Sequence, residues 1–338
     1  MDFKISGGTI GGNSRAIGNV IAWVGLLFFC VSVAFFPKFS YAAEQSPKVI
    51  DVGIYLNSIP SISLKEKKFQ ADFYIWFRWV GNNIDPMESF EIVNGHIDSK
   101  EAVVKKKIGN INYASARVAA SLFRNFDVSR YPLDKQTLKI QIEDNKLTSE
   151  EMAYRPDKAN TAISPKIDIA GWHIEKSDSY ESVTTYATNY GDISLQNGGK
   201  SKYPRYTFSL DLKRGGYAIF IKLFATLFLA GGLSFCAFAV RSDHIDARFA
   251  LILSGVFLAG MTQSSLASIL PESDLFCMAD QLCDLTLAII VLVFVAGIYT
   301  FGIYHNGDEQ KADRVSRLTG RALAVFYVVA NILIVAFA

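Results

Sequence analysis

The chain has 338 residues, 50% of them hydrophobic and 20% charged, with 34 Lys and Arg against 32 Asp and Glu for a formal net charge of +2. That balance is too small to argue for nucleic acid, and no basic cluster is interleaved with aromatics on a readable element, so nucleic-acid binding is set aside as a class. The length accommodates two domains, and the apolar half is spread unevenly: everything after Gly215 is membrane-like.

The first hydrophobic stretch, residues 17–36, follows Lys4 and Arg15 and ends in "FSYAAEQ", where Ser40 and Ala42 supply the small residues of a cleavage site. It reads as a secretory signal over residues 1–43, with an uncleaved anchor as the alternative because the run is long for a signal. Either way the chain from about Glu44 onward is expected outside the cytoplasm. The preceding glycine-rich "SGGTIGG" is not a phosphate loop in any strand-to-helix context.

Residues 44–214 carry repeated short alternating runs with turns between them and no long amphipathic helix. The best strands are "VIDVGIYLNSI", "FQADFYIWFRWV", "ASARVAASLF", "LKIQIE", "GWHIEKS", "YESVTTYA" and "RYTFSLDLK". So many strands in this length predict a β-sandwich. In "DFYIWFRW", Phe73, Ile75, Phe77 and Trp79 share one face, leaving Tyr74, Trp76 and Arg78 on the other. In "RNFDVSRYPLDKQTLKIQIED", Leu138, Ile140 and Ile142 alternate with Lys139, Gln141 and Glu143, the period of a strand with one dry face. Pro132 fixes its own backbone angle and biases Tyr131 away from helix, so residues 126–134 form a defined loop that offers Tyr131 and Leu133 for packing.

Residues 215–338 contain four apolar segments, about 216–240, 249–270, 285–304 and 318–338, each near the roughly 20 residues that span a bilayer as helix. Arg241, His244 and Arg248 lie between the first two segments, and Lys311, Arg314, Arg317 and Arg321 in or beside the last loop. Both loops are therefore assigned to the cytoplasmic side, and the sandwich and residues 271–284 to the other. Lys213 and Arg214 run against this bias, which implies a specific role for them. Of the four cysteines, Cys30 sits in the signal and Cys236 near a helix end; Cys277 and Cys283 are either bridged or two free thiols. The histidines, His96, His173, His244 and His305, are scattered, with no metal-ligand spacing and no nucleophile elbow, so catalysis is not expected.

Order, spacing and topology over residues 48–338 resemble the pentameric ligand-gated ion channels, the Cys-loop receptor relatives, in their prokaryotic form. "FDVSRYPLDKQTLKIQIED" is similar to the family's signature loop and following strand, with Tyr131, Pro132, Asp134 and Gln136 at the characteristic places. "FQADFYIWFRW" resembles the second strand, "LKRGGY" the junction into the first membrane helix and "LPESD" the end of the pore helix. The loop lacks the paired cysteines, the first span carries Gly231 and Gly232 where a proline is expected, and the loop near 305–316 is too short for an intracellular domain.

The resemblance implies a homopentamer in the bacterial inner membrane, multi-pass, with a periplasmic ligand-binding sandwich. Its partners would be a small-molecule ligand of unknown identity, permeant inorganic ions and membrane lipid, with no cofactor. Asp246, Ala250, Ser254, Phe257, Met261, Ser264 and Ser268 step by fours and threes along one helical face, which the residues alone allow to be either a small-residue packing stripe or a pore lining; the resemblance favours the pore. In that role the hydroxyls replace an ion's water and Phe257 and Met261 gate by dewetting. Asp246 either makes a cation-selective ring or only matches the helix dipole, and Arg248, two residues on, cannot face the axis with it.

The same resemblance places an agonist beside Tyr74, Trp76 and Arg78, roofed by a neighbour's loop at about 186–203 in which Tyr186, Tyr190 and Tyr203 complete a cage for an amine; plain interface packing is the other reading. Tyr131, Pro132, Leu133 and Asp134 press on the helix ends near Glu272, Pro271 and Asp280, with residues 59–65 alongside and Arg214 paired to Asp134. If buried, breaking that pair costs about 3–5 kcal/mol; if solvated, under about 1 kcal/mol. Ligand-driven movement of these loops would bias a two-state pore. The rival function is a membrane-anchored sensor or assembly subunit that keeps the fold without conducting.

Overall fold

The computed structural model describes residues 1, 2, 7, 46–191, 200–272 and 276–337. The expected signal, Cys30, residues 192–199 of the roofing loop, and Ser273 and Asp274 of "LPESD" lie outside the described residues. The chain divides after Ser46, and every element below belongs to Pro47–Ala338.

Ten strands come first: β1 (Lys48–Ser63), β2 (Lys68–Val80), β3 (Phe90–Ile92), β4 (Gly95–Ile108), β5 (Ile111–Phe123), β6 (Lys135–Asp144), β7 (Met152–Pro156), β8 (Ala162–Ile163), β9 (Trp172–Tyr186) and β10 (Ser201–Arg214). They make two sheets. One has the order β4-β5-β2-β1-β7 with β8 also on β1; the other runs β3-β6-β10-β9. Alternation explains the burial. Phe73, Ile75 and Phe77 of β2 are sealed, as are Leu138, Ile140 and Ile142 of β6 and Tyr206, Phe208 and Leu210 of β10, and all join one core. Phe77 of the first sheet meets Phe90 of the second with ring centroids 5.5 Å apart.

Two expectations about strands are corrected. "GWHIEKS" and "YESVTTYA" are one strand, β9, because pairing with β10 continues from Trp172 to Tyr186 through the polar "SDS". β4 went unrecognised because it is an edge strand, exposed on both faces from Lys100 to Ile108, with no alternation to read. Its register shifts between Glu101 and Val104, where Ala102 has φ 51°.

Four helices follow: α1 (Gly216–Cys236), extended by a 3-10 turn Ala237–Ala239, then α2 (Ile245–Ile269), α3 (Met278–His305) and α4 (Glu309–Phe337). Each is long and apolar enough to cross a membrane, at 24, 25, 28 and 29 residues with the 3-10 turn counted in α1. The last three begin four, seven and nine residues before the apolar segments do, because hydropathy marks lipid-facing residues and misses charged first turns. Asp280 accepts a hydrogen bond from Cys277 N at 3.1 Å and starts α3 within the stretch expected to be loop. The loop before α4 shrinks to residues 306–308. Cys277 and Cys283 are free thiols, both buried, one capping α3 and the other inside it.

Glycines set the helix spacing. A Cβ on Gly255 of α2 would collide with Ser234 Oγ and the Ala230 carbonyl of α1, and one on Gly231 would lie 3.0 Å from the Tyr327 ring of α4. Gly231 and Gly232 thus do not break α1, which stays continuous and admits close neighbours. Tyr327 OH lies 2.9 Å from Thr286 Oγ1 of α3.

Candidate functional site

One face of α2 is committed to packing and the other is free within the chain. Arg248, Ile252, Gly255, Ala259, Thr262 and Leu266 are buried, whereas Asp246, Ala250, Ser254, Phe257, Met261, Ser264 and Ser268 are all exposed. The stripe is therefore not a packing surface inside the protomer. Ser254 Oγ donates to Ala250 O at 2.7 Å and Ser268 Oγ to Ser265 O at 2.6 Å. Each hydroxyl proton is satisfied by the helix, so the oxygen lone pairs remain for solvent or a cation.

Arg248 turns away from Asp246, as their spacing requires. It is 1% exposed, and its guanidinium donates to Val240 O at 3.0 and 2.6 Å, Thr300 Oγ1 at 2.9 Å, Ser316 Oγ at 3.1 Å and Ser242 Oγ at 3.2 Å. One side chain thus ties together α2, α3, α4 and the α1–α2 turn at the end of the bundle far from the sheets. Nothing in the local spacing marks this hub beyond a cation two positions from an acid. Ser242 also donates to Asp313 Oδ1 at 3.2 Å.

At the other end, the β domain meets the helices directly. Asp134 holds Arg214 by two bonds, Nε to Oδ1 at 2.6 Å and Nη2 to Oδ2 at 3.2 Å, with side-chain exposures of 11% for Arg214 and 2% for Asp134. The pair is buried, which decides against the solvated alternative. The guanidinium lies 4.0 Å from the Trp172 ring centroid and 4.8 Å from that of Tyr131, so aromatic faces replace the water it loses. Trp172 was not foreseen in this role. Gln136 Nε2 completes the carboxylate, bonding Asp134 Oδ2 at 2.8 Å and Asp127 O at 2.6 Å. Burial pushes the Tyr131 phenol above its usual range, with the Arg214 charge pulling the other way. The Tyr131–Pro132 peptide is cis.

The bond from this loop to a helix end comes from Ser129, not Tyr131 or Leu133: Ser129 O accepts from Met278 N at 2.9 Å. Tyr131 is held beneath Arg214, and Leu133 lines a cavity of about 490 Å³ with Gly216 and Tyr217 at the start of α1. Val128 faces Leu266, Leu270, half-buried Pro271 and Glu272 around a cavity of about 290 Å³. The β1–β2 turn reaches the same helix end, Lys65 Nζ donating to Ala267 O at 3.3 Å.

The aromatic residues fall in two groups on different sheets. On β2, Trp76 Nε1 donates to Asp157 Oδ2 at 3.0 Å, and Arg78 Nη2 sits 2.8 Å from the same oxygen. The Trp76 indole occupies the space beside Gly53, where a Cβ would clash with it. Tyr74 is 41% exposed. On the second sheet, Tyr186 contacts Tyr190 and Tyr203 with centroids 5.8 and 6.0 Å away. Tyr186 OH donates to Glu143 Oε2 at 3.0 Å, and Arg205 reaches Glu143 Oε1 at 2.7 Å and Tyr186 OH at 2.9 Å.

These tyrosines line a cavity of about 300 Å³ with Glu91, Glu143, Asp144, Asn145 and Asn189. Its acidic side was missed, although "IED" closing an alternating strand is an irregular place for two buried carboxylates. Asp144 is held by Lys146 N and Leu147 N, both at 2.9 Å, and by Ser89 Oγ. Burial, then Glu143 and Asp144, raise the Glu91 carboxyl above its ordinary value of 4.5. Among the described residues no group of three or more His, Cys, Asp and Glu is placed to hold a metal ion. No protein-family model matches the chain.

Proposed function

We propose that the chain is the subunit of a homopentameric ligand-gated ion channel of the prokaryotic pentameric type, seated in a bacterial inner membrane with its β domain in the periplasm. In this reading the two sheets are the leaves of a sandwich, and five copies of α2 surround the axis. The observation that carries it is the α2 face from Asp246 to Ser268, wholly exposed in the chain while the opposite face is packed. Back-bonded serine oxygens at both ends of that face suit a partly dehydrated cation, and Asp246 at the mouth concentrates it. Phe257 and Met261, each 66% exposed, form the apolar gate.

The ligand is a small organic cation or a proton. The cavity between Tyr186, Tyr190, Tyr203 and the carboxylates supplies π faces and negative charge together, and Tyr74 and Arg78 of an adjoining copy supply its other wall. Occupancy shifts β9 and β10, and β10 runs straight into Arg214 and α1. The loop carrying Asp134, Ser129 and Val128, with Lys65, passes the movement to the ends of α2 and α3.

One observation favours the rival of a non-conducting sensor: Phe257 is a bulky side chain at mid-stripe. Reconstitution in planar bilayers separates the two, with amines, acids, protons and divalent ions tried in turn. Current that changes in Phe257→Ala supports the channel, and silence from a verified pentamer refutes it.

A further inference from the structure

Opposite charges sit two residues apart at one end of α2: Asp246 is exposed and Arg248 is sealed at 1% exposure. Among the described residues, every hydrogen bond of the Arg248 side chain goes to a neutral oxygen, Val240 O or the hydroxyls of Ser242, Thr300 and Ser316. Its donors are satisfied but its charge is not. In a ring of copies these buried cations oppose the field of the Asp246 carboxylates, and the offset comes from α4.

The first turns of α4 lie along the turn between α1 and α2. Glu309, Asp313, Ser316 and Gly320 recur at steps of four, three and four and so share one helical face. Each meets the turn or its anchor. Glu309 Oε1 accepts from Arg241 Nη2 at 2.6 Å, Asp313 Oδ1 from Ser242 Oγ at 3.2 Å and Ser316 Oγ from Arg248 Nη2 at 3.1 Å. A Cβ on Gly320 would lie 2.8 Å from Phe238 Cγ. Lys311, Arg314, Arg317 and Arg321 are exposed on the other side of the helix. The acids of these turns thus face the α1–α2 turn, and the cations face away.

Those acids are not equivalent. Glu309 and Arg241 form a pair with side-chain exposures of 54% and 62%, wet enough for the two charges to cancel with little field left over. Asp243, in the turn itself, lies 3.6 Å from Arg241 Nε and 3.8 Å from His244 Nε2. Asp313 is half-buried and points at Arg248 through one sealed hydroxyl: Ser242 Oγ donates to Asp313 Oδ1 and accepts from Arg248 Nη2, each at 3.2 Å. Those two bonds end to end put the carboxylate within about 6 Å of the guanidinium, the range over which opposite charges act on one another.

We infer that Asp313 is a specificity-determining residue of the pore: its carboxylate offsets the buried Arg248 cation through Ser242, so that Asp246 dominates the field at the mouth. This rests on the channel proposed above and extends its selectivity to a helix outside the pore lining.

The test is Asp313→Asn in the full-length protein, which keeps the shape and an acceptor for Ser242 and loses only the charge, so a merely structural role is left intact. One readout is the cation-to-anion permeability ratio, taken from the reversal potential under a salt gradient. The other needs no current: Ala250→Cys in a Cys236→Ser background is modified by methanethiosulfonates bearing an ammonium or a sulfonate, and the ratio of the two rates reports the field at the mouth. Asp313→Asn should lower both ratios at least about three-fold, in the direction of Asp246→Asn, and Asp313→Glu should hold them within about two-fold of the parent. Ser316→Asp, which sets a carboxylate against the same guanidinium, should raise both and decides the matter if Asp313→Asn does not assemble. Unchanged ratios in an assembled Asp313→Asn, or no rise in Ser316→Asp, overturn the assignment; with Asp246→Asn still lowering the ratios, the channel stands. No current together with no reaction at Ala250→Cys sinks the channel, and the assignment with it.

Discussion

Replacing Asp134 by Asn tests the junction between the β domain and the helices with almost no change of shape. The substitution leaves the Arg214 guanidinium, whose side chain is 11% exposed, between Trp172 and Tyr131 without its carboxylate. Breaking one half of a buried pair costs about 3–5 kcal/mol. The two ring contacts survive and offset part of this, at about 0.5–2 kcal/mol each, so a net loss of roughly 2–3 kcal/mol is expected. At about 2–4 °C per kcal/mol for a large domain, the Tm of the detergent-solubilised protein should fall by roughly 4–12 °C. Arg214→Gln alone should cost a similar amount, whereas Asp134→Asn with Arg214→Gln together should cost much less than their sum, since no charge is then left buried. A loss under about 1 kcal/mol in Asp134→Asn, the range of solvated pairs, would refute the reasoning.

Three further outcomes follow from other sites. Glu91 has a raised carboxyl, so its contribution is full below the ordinary carboxylate value and is lost as pH rises through the raised one; Glu91→Gln should raise Tm near neutral pH and leave it unchanged in acid, read by melting across a pH series. Gly255→Ala should cost about 1–3 kcal/mol by overpacking against Ser234 and the Ala230 carbonyl, and adding Ser234→Ala should recover only part, because the carbonyl stays. Arg248→Lys keeps the charge but loses the fork that reaches four acceptor residues; with buried acceptors left unpaired at about 1–3 kcal/mol each, the melt should drop by at least as much as in Asp134→Asn.

Strands with one wet face, such as β2 and β6, were legible because side-chain period and burial coincide, and so were the cores of the four apolar helices. β4 and the polar middle of β9 were not, since an edge strand is held by backbone pairing that leaves no pattern in side chains. Helix starts were hidden for a related reason: the capping turn at Cys277 and Asp280 and the polar first turns of α4 carry charge where hydropathy looks for oil. At the candidate sites, the partnership of Asp134 with Arg214 rested on the resemblance, which sets the loop against the helix ends, together with a cation that runs against the expected loop-charge bias. The roles of Trp172, Glu143, Arg205 and Arg248 depend on contacts between positions far apart in the chain, which no local spacing encodes.

The central claim is that the exposed stripe of α2 borders water within an assembled pore. Cysteines placed one at a time at Ser254, Met261 and Ser268, in a Cys236→Ser background, measure this directly by their reaction with a small charged thiol reagent. The account predicts modification at all three positions, at rates that change with ligand or pH, and none at Ile252→Cys or Ala259→Cys on the packed face. If none of the three reacts under any condition, the face does not line a water path and the account is contradicted.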